Sequence, residues 1–318
     1  ILFMKKFMMI SACYALMTNM VHASEVSFSE NTNQKEQQSS YTNTLYQKET
    51  SNAYSQKTTT SQFKKAAHLL ISAREENKLI ELPDALKPTV LSEGYQIQDQ
   101  IIQDIDARQN GWKVAITSDT LMKKAGVSEP ISGPLFTRWM YAAPYSINDG
   151  APTLYGFEFE FAFKMAKELP PRERPYSRDE VKAAVGSMHL AIEPVGTRYI
   201  QGPVKSGVPQ FAADHGGNFG FVYGPAIPNW ENINLSNVVV AGYFDDHKVG
   251  QELGSNVMGN PLNSLTWLAN HLPTRGYSLK AGDWVSTGAV VGPIPVKPPV
   301  KVRGVFGDLG SVSLDFAG

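Results

Sequence analysis

Glu158 and Glu160 stand two residues apart in the run Gly156-Phe157-Glu158-Phe159-Glu160-Phe161-Ala162-Phe163-Lys164, where charged and aromatic side chains alternate. In a strand successive side chains point to opposite faces, so the four phenylalanines share one side and the two glutamates leave the other in parallel. Such a pair sits on a solvated outer face, or it points into a cleft. In a cleft two desolvated negative charges a few ångströms apart need compensation, and a divalent cation is the common compensator. A third carboxylate, Glu193, stands alone in the apolar run Met188-His189-Leu190-Ala191-Ile192-Glu193-Pro194-Val195. A buried carboxylate without a partner takes up a proton or finds a cation, so Glu193 joins the candidate metal set. Lys113 shares a strand face only with Ala115 and Thr117, opposite Trp112, Val114 and Ile116, a setting in which a lysine is ordinarily solvated.

The elements around these residues change character along the chain. Phe63, Ala66, Ala67, Leu70 and Ile71 repeat with helical spacing, and Tyr95, Ile97, Ile101, Ile102 and Ile105 predict a second helix that stops at Asn110-Gly111. Beyond Gly111 strands dominate. Residues 118–155 are rich in Gly, Pro and aromatic residues and read as loops able to cover a pocket. Ser177 and Glu180 form a capping box, Asn260 caps a helix that Pro261 opens, and a strand is expected from Trp284 to Val290. Helices come early and strands late, without βαβ alternation, so the class is α+β.

The chain of 318 residues is 42% hydrophobic, enough to bury one large core or two small ones. Its 29 basic and 30 acidic residues show no Lys/Arg block, which argues against nucleic acid as a partner. A phosphate loop, a dinucleotide fingerprint, a GxSxG elbow, an HExxH helix and internal repeats are all missing. Lys5 and Lys6, the apolar stretch Phe7 to Met20 and Val21-His22-Ala23 read as an export signal over residues 1–23, so a periplasmic or secreted protein is expected. The stretch is too short for a stable membrane anchor. Cys13 is the only cysteine, and cleavage would remove it together with any disulfide or thiol chemistry. Residues 24–62, mostly Ser, Thr, Asn and Gln, read as a disordered polar linker before a catalytic domain over 63–318.

An ordered set of short motifs resembles the 2-keto-4-pentenoate hydratase branch of the fumarylacetoacetate hydrolase superfamily. The set comprises Tyr95-Gln96-Ile97-Gln98, Gly111 to Ser118, Gly133-Pro134-Leu135-Phe136, Glu158-x-Glu160 and Ala191-Ile192-Glu193. It continues with Ala213-Asp214, Asn260-Pro261-Leu262-Asn263, Ala281-Gly282-Asp283 and Leu309 to Ser313. The resemblance implies a mixed β-sandwich roll wrapped by peripheral helices, with Mg²⁺ or Mn²⁺ held by Glu158, Glu160 and Glu193. It implies a small-molecule 2-oxo acid as substrate, with water added to a 2-hydroxyalka-2,4-dienoate to give a 4-hydroxy-2-oxo acid. By the same resemblance Lys113 stabilises an enolate, or shuttles a proton if metal and burial lower its pKa, Asp214 and Thr287 lie near the substrate, and the protein forms a homo-oligomer.

The chain departs from the family pattern at the substrate end, where Thr137-Arg138 follows Leu135-Phe136 and His215-Gly216-Gly217-Asn218 follows Asp214. Arg138 is a candidate for a second substrate carboxylate, and His215 for a replacement proton shuttle or an ordinary loop residue. Decarboxylation, C–C hydrolysis of related 2-oxo acids, and an exported binding protein without turnover are the alternatives.

Overall fold

The computed structural model describes residues 61–150 and 152–318. The expected export signal and all but the last two residues of the expected linker lie outside the described residues. Ser61 and Gln62 open a helix instead of closing that linker.

In chain order the elements are α1 (Ser61–Glu75), α2 (Leu91–Asp104), β1 (Gln109–Ala115), α3 (Asp119–Ala125), β2 (Ile131–Phe136), β3 (Met140–Ala142), β4 (Tyr145–Ile147) and β5 (Leu154–Met165). There follow α4 (Arg178–Lys182), β6 (Val185–Gly196), α5 (Gly202–Lys205), α6 (Gly207–Ala213), β7 (Phe221–Ala226), β8 (Val239–Phe244), β9 (His247–Leu253) and α7 (Pro261–His271). The chain ends with β10 (Trp284–Ser286), β11 (Val291–Pro295), β12 (Val300–Phe306) and β13 (Ser311–Phe316). Helices α1 and α2 bury Phe63, Leu70, Ile97 and Ile101 in one small cluster. Segment 118–155, expected as loops, contains α3, β2, β3 and β4. Strand β2 is buried along its whole length, because it pairs antiparallel with β1 despite its Gly and Pro.

Two mixed sheets carry the core. The larger runs β2-β1-β10-β5-β6-β7-β3 with β11 also on β5, and the smaller runs β4-β13-β12-β8-β9. The phenylalanine face of β5 lies between them: Phe157 meets Phe244 and Phe316 edge-on at 6.1 and 5.8 Å, and Phe161 meets Phe306 at 5.2 Å. Phe159 fits a notch made by two glycines of the second sheet, since a Cβ on Gly242 or Gly304 would come within 2.3 or 2.6 Å of its ring. The aromatic half of the alternating run is therefore sandwich core, which turns the glutamates to the other face of the large sheet. The strand expected over Trp284 to Val290 stops at Ser286, where Thr287 and Gly288 leave the ladder and Gly288 takes φ +106°.

Candidate metal centre

Register brings the carboxylates together. In the antiparallel β5–β6 pair Glu158 lies directly opposite Glu193, and Glu160 lies opposite Ala191. One oxygen from each of Glu158, Glu160 and Glu193 falls within 4.8 Å of the others. Glu160 and Glu193 are completely buried, while Glu158 is only partly so and forms the accessible side.

Each buried carboxylate gives one oxygen to the protein. Glu160 Oε2 accepts from the Ser286 hydroxyl at 2.5 Å and from the Gly288 backbone N–H at 2.9 Å. Glu193 Oε1 accepts from Asn218 Nδ2 at 3.0 Å and lies 3.1 Å from the Lys113 ammonium. The second oxygens, Glu160 Oε1 and Glu193 Oε2, are buried with no hydrogen-bond partner among the described residues. Two orphaned buried carboxylate oxygens beside a third carboxylate are what a hard, oxygen-seeking divalent cation satisfies, so the donor set fits such an ion. Asn218, Ser286 and Gly288 fix the carboxylates' orientation from behind.

The electrostatics follow from three acids in one desolvated place. Burial pushes Glu158 up to about 7, with Glu193 adding to the rise against the pull of Lys113. Burial together with Glu193 and Glu158 holds Glu160 well above the carboxylate range. For Lys113 burial is the largest influence and acts downward, but Glu193, Glu158 and Glu160 together outweigh it and the pKa rises. Lys113 is 1% exposed, and its ammonium also donates to the Gly216 carbonyl at 2.7 Å.

The remaining expected residues take varied places. Asp214 is buried against Arg198, which it meets through the side-chain Nε at 2.5 Å and the backbone N–H at 2.8 Å. Its carboxylate is committed to that pair, so it shapes the loop that carries Gly216 and Asn218. His215 is buried with neither ring nitrogen hydrogen-bonded among the described residues, packs edge-on to Phe136 at 5.6 Å, and takes φ +58°. Burial, then Arg74 and Arg198, push its pKa well below the usual range, so the ring is neutral. Thr287 donates its hydroxyl to the Phe161 carbonyl at 2.7 Å and helps hold the strand break beside Glu160. Arg138 does not join the carboxylates: its side chain is 50% exposed and pairs with Glu75 at 3.4 Å.

Sequence reasoning missed Ser286, Gly288 and the supporting role of Asn218. Among the many Ser, Gly and Asn residues nothing in their spacing marks them, because they reach the glutamates through sheet pairing and a loop. Nor does the sequence mark Arg74 and Arg198 as buried, since their partners Asn218, Phe219 and Asp214 are distant from Arg74 along the chain or on a loop.

A scan against protein-family models finds no match for this chain. Among solved structures, the 4-oxalocrotonate decarboxylase from Pseudomonas putida G7, complexed with magnesium and adipate, superposes with TM-score 0.74 at 23% identity, over 80% of this chain and 97% of that one. The fumarylacetoacetate hydrolase from Exiguobacterium antarcticum gives TM-score 0.51 at 15% identity, over 67% and 76% of the two chains. The fold is that of the fumarylacetoacetate hydrolase superfamily, as the motifs implied. The chain is 28% identical over 262 residues to the 2-keto-4-pentenoate hydratase of Paraburkholderia xenovorans (strain LB400), covering 81% of this chain and 96% of that protein. It is 27% identical over 261 residues to a 4-oxalocrotonate decarboxylase of Pseudomonas putida, covering 78% and 96%. In sequence the chain resembles 2-keto-4-pentenoate hydratases and 4-oxalocrotonate decarboxylases at nearly equal identity.

Proposed function

We propose that this protein is a divalent-metal-dependent hydro-lyase that adds water to a 2-hydroxyalka-2,4-dienoate and yields a 4-hydroxy-2-oxo acid. The observation that carries this reading is the pair of buried, unpaired carboxylate oxygens on Glu160 and Glu193, converging with Glu158 beside the Lys113 ammonium. Glu158, Glu160 and Glu193 would hold Mg²⁺ or Mn²⁺. When bound, that ion supplies Lewis acidity toward the carboxylate and C2 oxygen of a 2-oxo acid.

The chain's own residues supply the rest. Of the three N–H bonds of the Lys113 ammonium, Gly216 and Glu193 engage two, which leaves one for a substrate oxygen. A cation fixed in that way stabilises negative charge developing at the C2 oxygen as the dienol loses its O–H proton and C5 gains one. Water then adds as hydroxyl at C4 and hydrogen at C3. Strand β5, locked into the sandwich by its phenylalanines, holds Glu158 and Glu160 in place during these changes. Asp214 and Thr287 act by holding the loops that present Gly216 and Gly288.

Decarboxylation of a 4-oxalocrotonate-type acid is the second reading, favoured by the relatives of that name at nearly equal identity. The two are separated by giving the Mg²⁺- or Mn²⁺-loaded protein the mono- and diacid substrates and measuring product mass and released CO₂. Mass gain by one water from the monoacid supports hydration; CO₂ from the diacid without hydration of the monoacid overturns it. An exported location is part of the proposal, resting on Lys5, Lys6 and the apolar stretch to Met20. Cell fractionation with N-terminal sequencing tests it, and a retained, uncleaved cytoplasmic chain would overturn it. No helix among the described residues is long and apolar enough to cross a membrane.

A further inference from the structure

A cavity of about 320 Å³ opens between α1, the β3–β4 segment and the end of β6, and none of the three glutamates lines it. Two guanidiniums form its inner wall: Arg74 is 8% exposed and Arg198 is 1% exposed. Both donate to the Asn218 carbonyl, at 2.6 and 3.0 Å. Arg74 further donates to Asn218 Oδ1 at 3.3 Å and the Phe219 carbonyl at 3.0 Å, and Arg198 to Asp214 Oδ1 at 2.5 Å and the Asp214 carbonyl at 3.0 Å. A guanidinium carries five N–H bonds, so each has donors left beyond these three acceptors, and Arg74 Nε is buried with no partner among the described residues.

The charge is uneven with depth. Asp214, which pairs with Arg198 at the buried end, is not part of the lining. The acids of the lining, Glu75 and Asp149, lie at the solvent end, where Glu75 pairs with Arg138 and Asp149 accepts from Asn77 at 2.9 Å. The side walls are aromatic: Trp139 stacks under Arg74 at 4.1 Å, and Tyr141 and Tyr145 lie ring on ring at 3.8 Å. A cationic floor with flat apolar walls matches a small carboxylate on a planar, unsaturated or aromatic body, and the volume falls in the range of small-molecule sites.

We propose that this cavity is a second ligand site, separate from the three glutamates, for a small planar organic carboxylate. The occupant's carboxylate meets the spare donors of Arg74 and Arg198, and its body lies along Trp139 and Tyr145. Asn218 joins the two sites, because its carbonyl and Oδ1 face the arginines while its Nδ2 holds Glu193. Occupancy therefore bears on the glutamate cluster through one side chain, as an effector would.

The test is calorimetric titration of the Mn²⁺-loaded full chain with benzoate, which is not a dienoate and cannot be turned over by hydration. Ser146→Trp puts an indole at the cavity from an exposed position, and Arg74→Lys removes the planar donor set while keeping the charge. Glu158→Ala/Glu160→Ala removes the metal site and reports any benzoate held there. Saturable binding that survives the double glutamate variant and weakens tenfold or more in both Ser146→Trp and Arg74→Lys supports the second site. Where Ser146→Trp does not fold, Arg74→Lys decides alone. Loss in the glutamate variant with full binding in Arg74→Lys overturns it, as does unsaturable binding to the wild type. Inorganic phosphate binding as tightly as benzoate overturns the role of the aromatic walls. These outcomes do not depend on hydratase activity, so the two readings stand or fall separately.

Discussion

At the scale of single residues, the centre depends on groups that support the glutamates from behind rather than offering ligand atoms. Ser286 and Asn218 each hold one oxygen of a buried glutamate, and such partners of metal ligands are worth about 10- to 100-fold in affinity. Ser286→Ala and Asn218→Ala are expected to weaken Mn²⁺ binding by about that factor, read by electron paramagnetic resonance titration; unchanged affinity in both would contradict the support role. Lys113→Met is expected to retain Mn²⁺ while lowering kcat by about 10² to 10⁴, the scale of a positioned catalytic group. Loss of less than about threefold in steady-state assays would remove Lys113 from the chemistry. The glutamates were legible in the sequence because strand alternation and an apolar run expose anomalous charges. Ser286 and Asn218 were not, since a hydroxyl or amide becomes a partner only once register and loop path are known.

Elements explain why the glutamates point where they do. Strand β5 is fixed by Phe159 in the Gly242–Gly304 notch, so Gly242→Ala, whose Cβ would sit 2.3 Å from the ring, is expected to cost about 1–3 kcal/mol of stability. A urea midpoint equal to wild type would show that the notch can relax. Gly288→Ala tests the strand break: a Cβ there would lie 2.4 Å from Thr117 Oγ1 at a φ of +106°, and the N–H aimed at Glu160 would move. Much of this level was readable in advance, including α1, α2, the capping box at Ser177 and the Asn260 cap. The misread parts share one cause. Segment 118–155 contains Gly and Pro and so looked like loop, yet the long-range partner β1 makes a strand of 131–136. Ser286 ends its strand early because Gly288 turns the chain toward Glu160, a tertiary requirement that local pattern does not carry.

For the molecule as a whole, three acids gathered in one buried place make stability depend on pH and on the ion. An acid whose folded pKa lies above its unfolded value binds its proton more tightly when folded. With Glu158 raised from 4.5 to about 7 and Glu160 raised well above its usual value, the cluster's contribution to the stability of the ion-free protein is largest below about 4.5 and is lost as pH rises through 7. A cation that replaces the protons reverses the trend. Thermal unfolding at pH 5 and pH 8, in chelator or with Mn²⁺, is expected to show a larger Mn²⁺ stabilisation at pH 8; equal shifts would contradict the cluster's role. The central claim is that these glutamates hold a catalytic ion for hydration of a dienoate. Its most direct measurement is the metal-dependent loss of 2-hydroxypenta-2,4-dienoate absorbance, run with the wild type beside Glu158→Ala/Glu160→Ala. The account predicts decay with Mg²⁺ or Mn²⁺ in the wild type alone, with a product one water heavier. Equal decay in the two proteins, or none in a wild type that binds Mn²⁺, would contradict it.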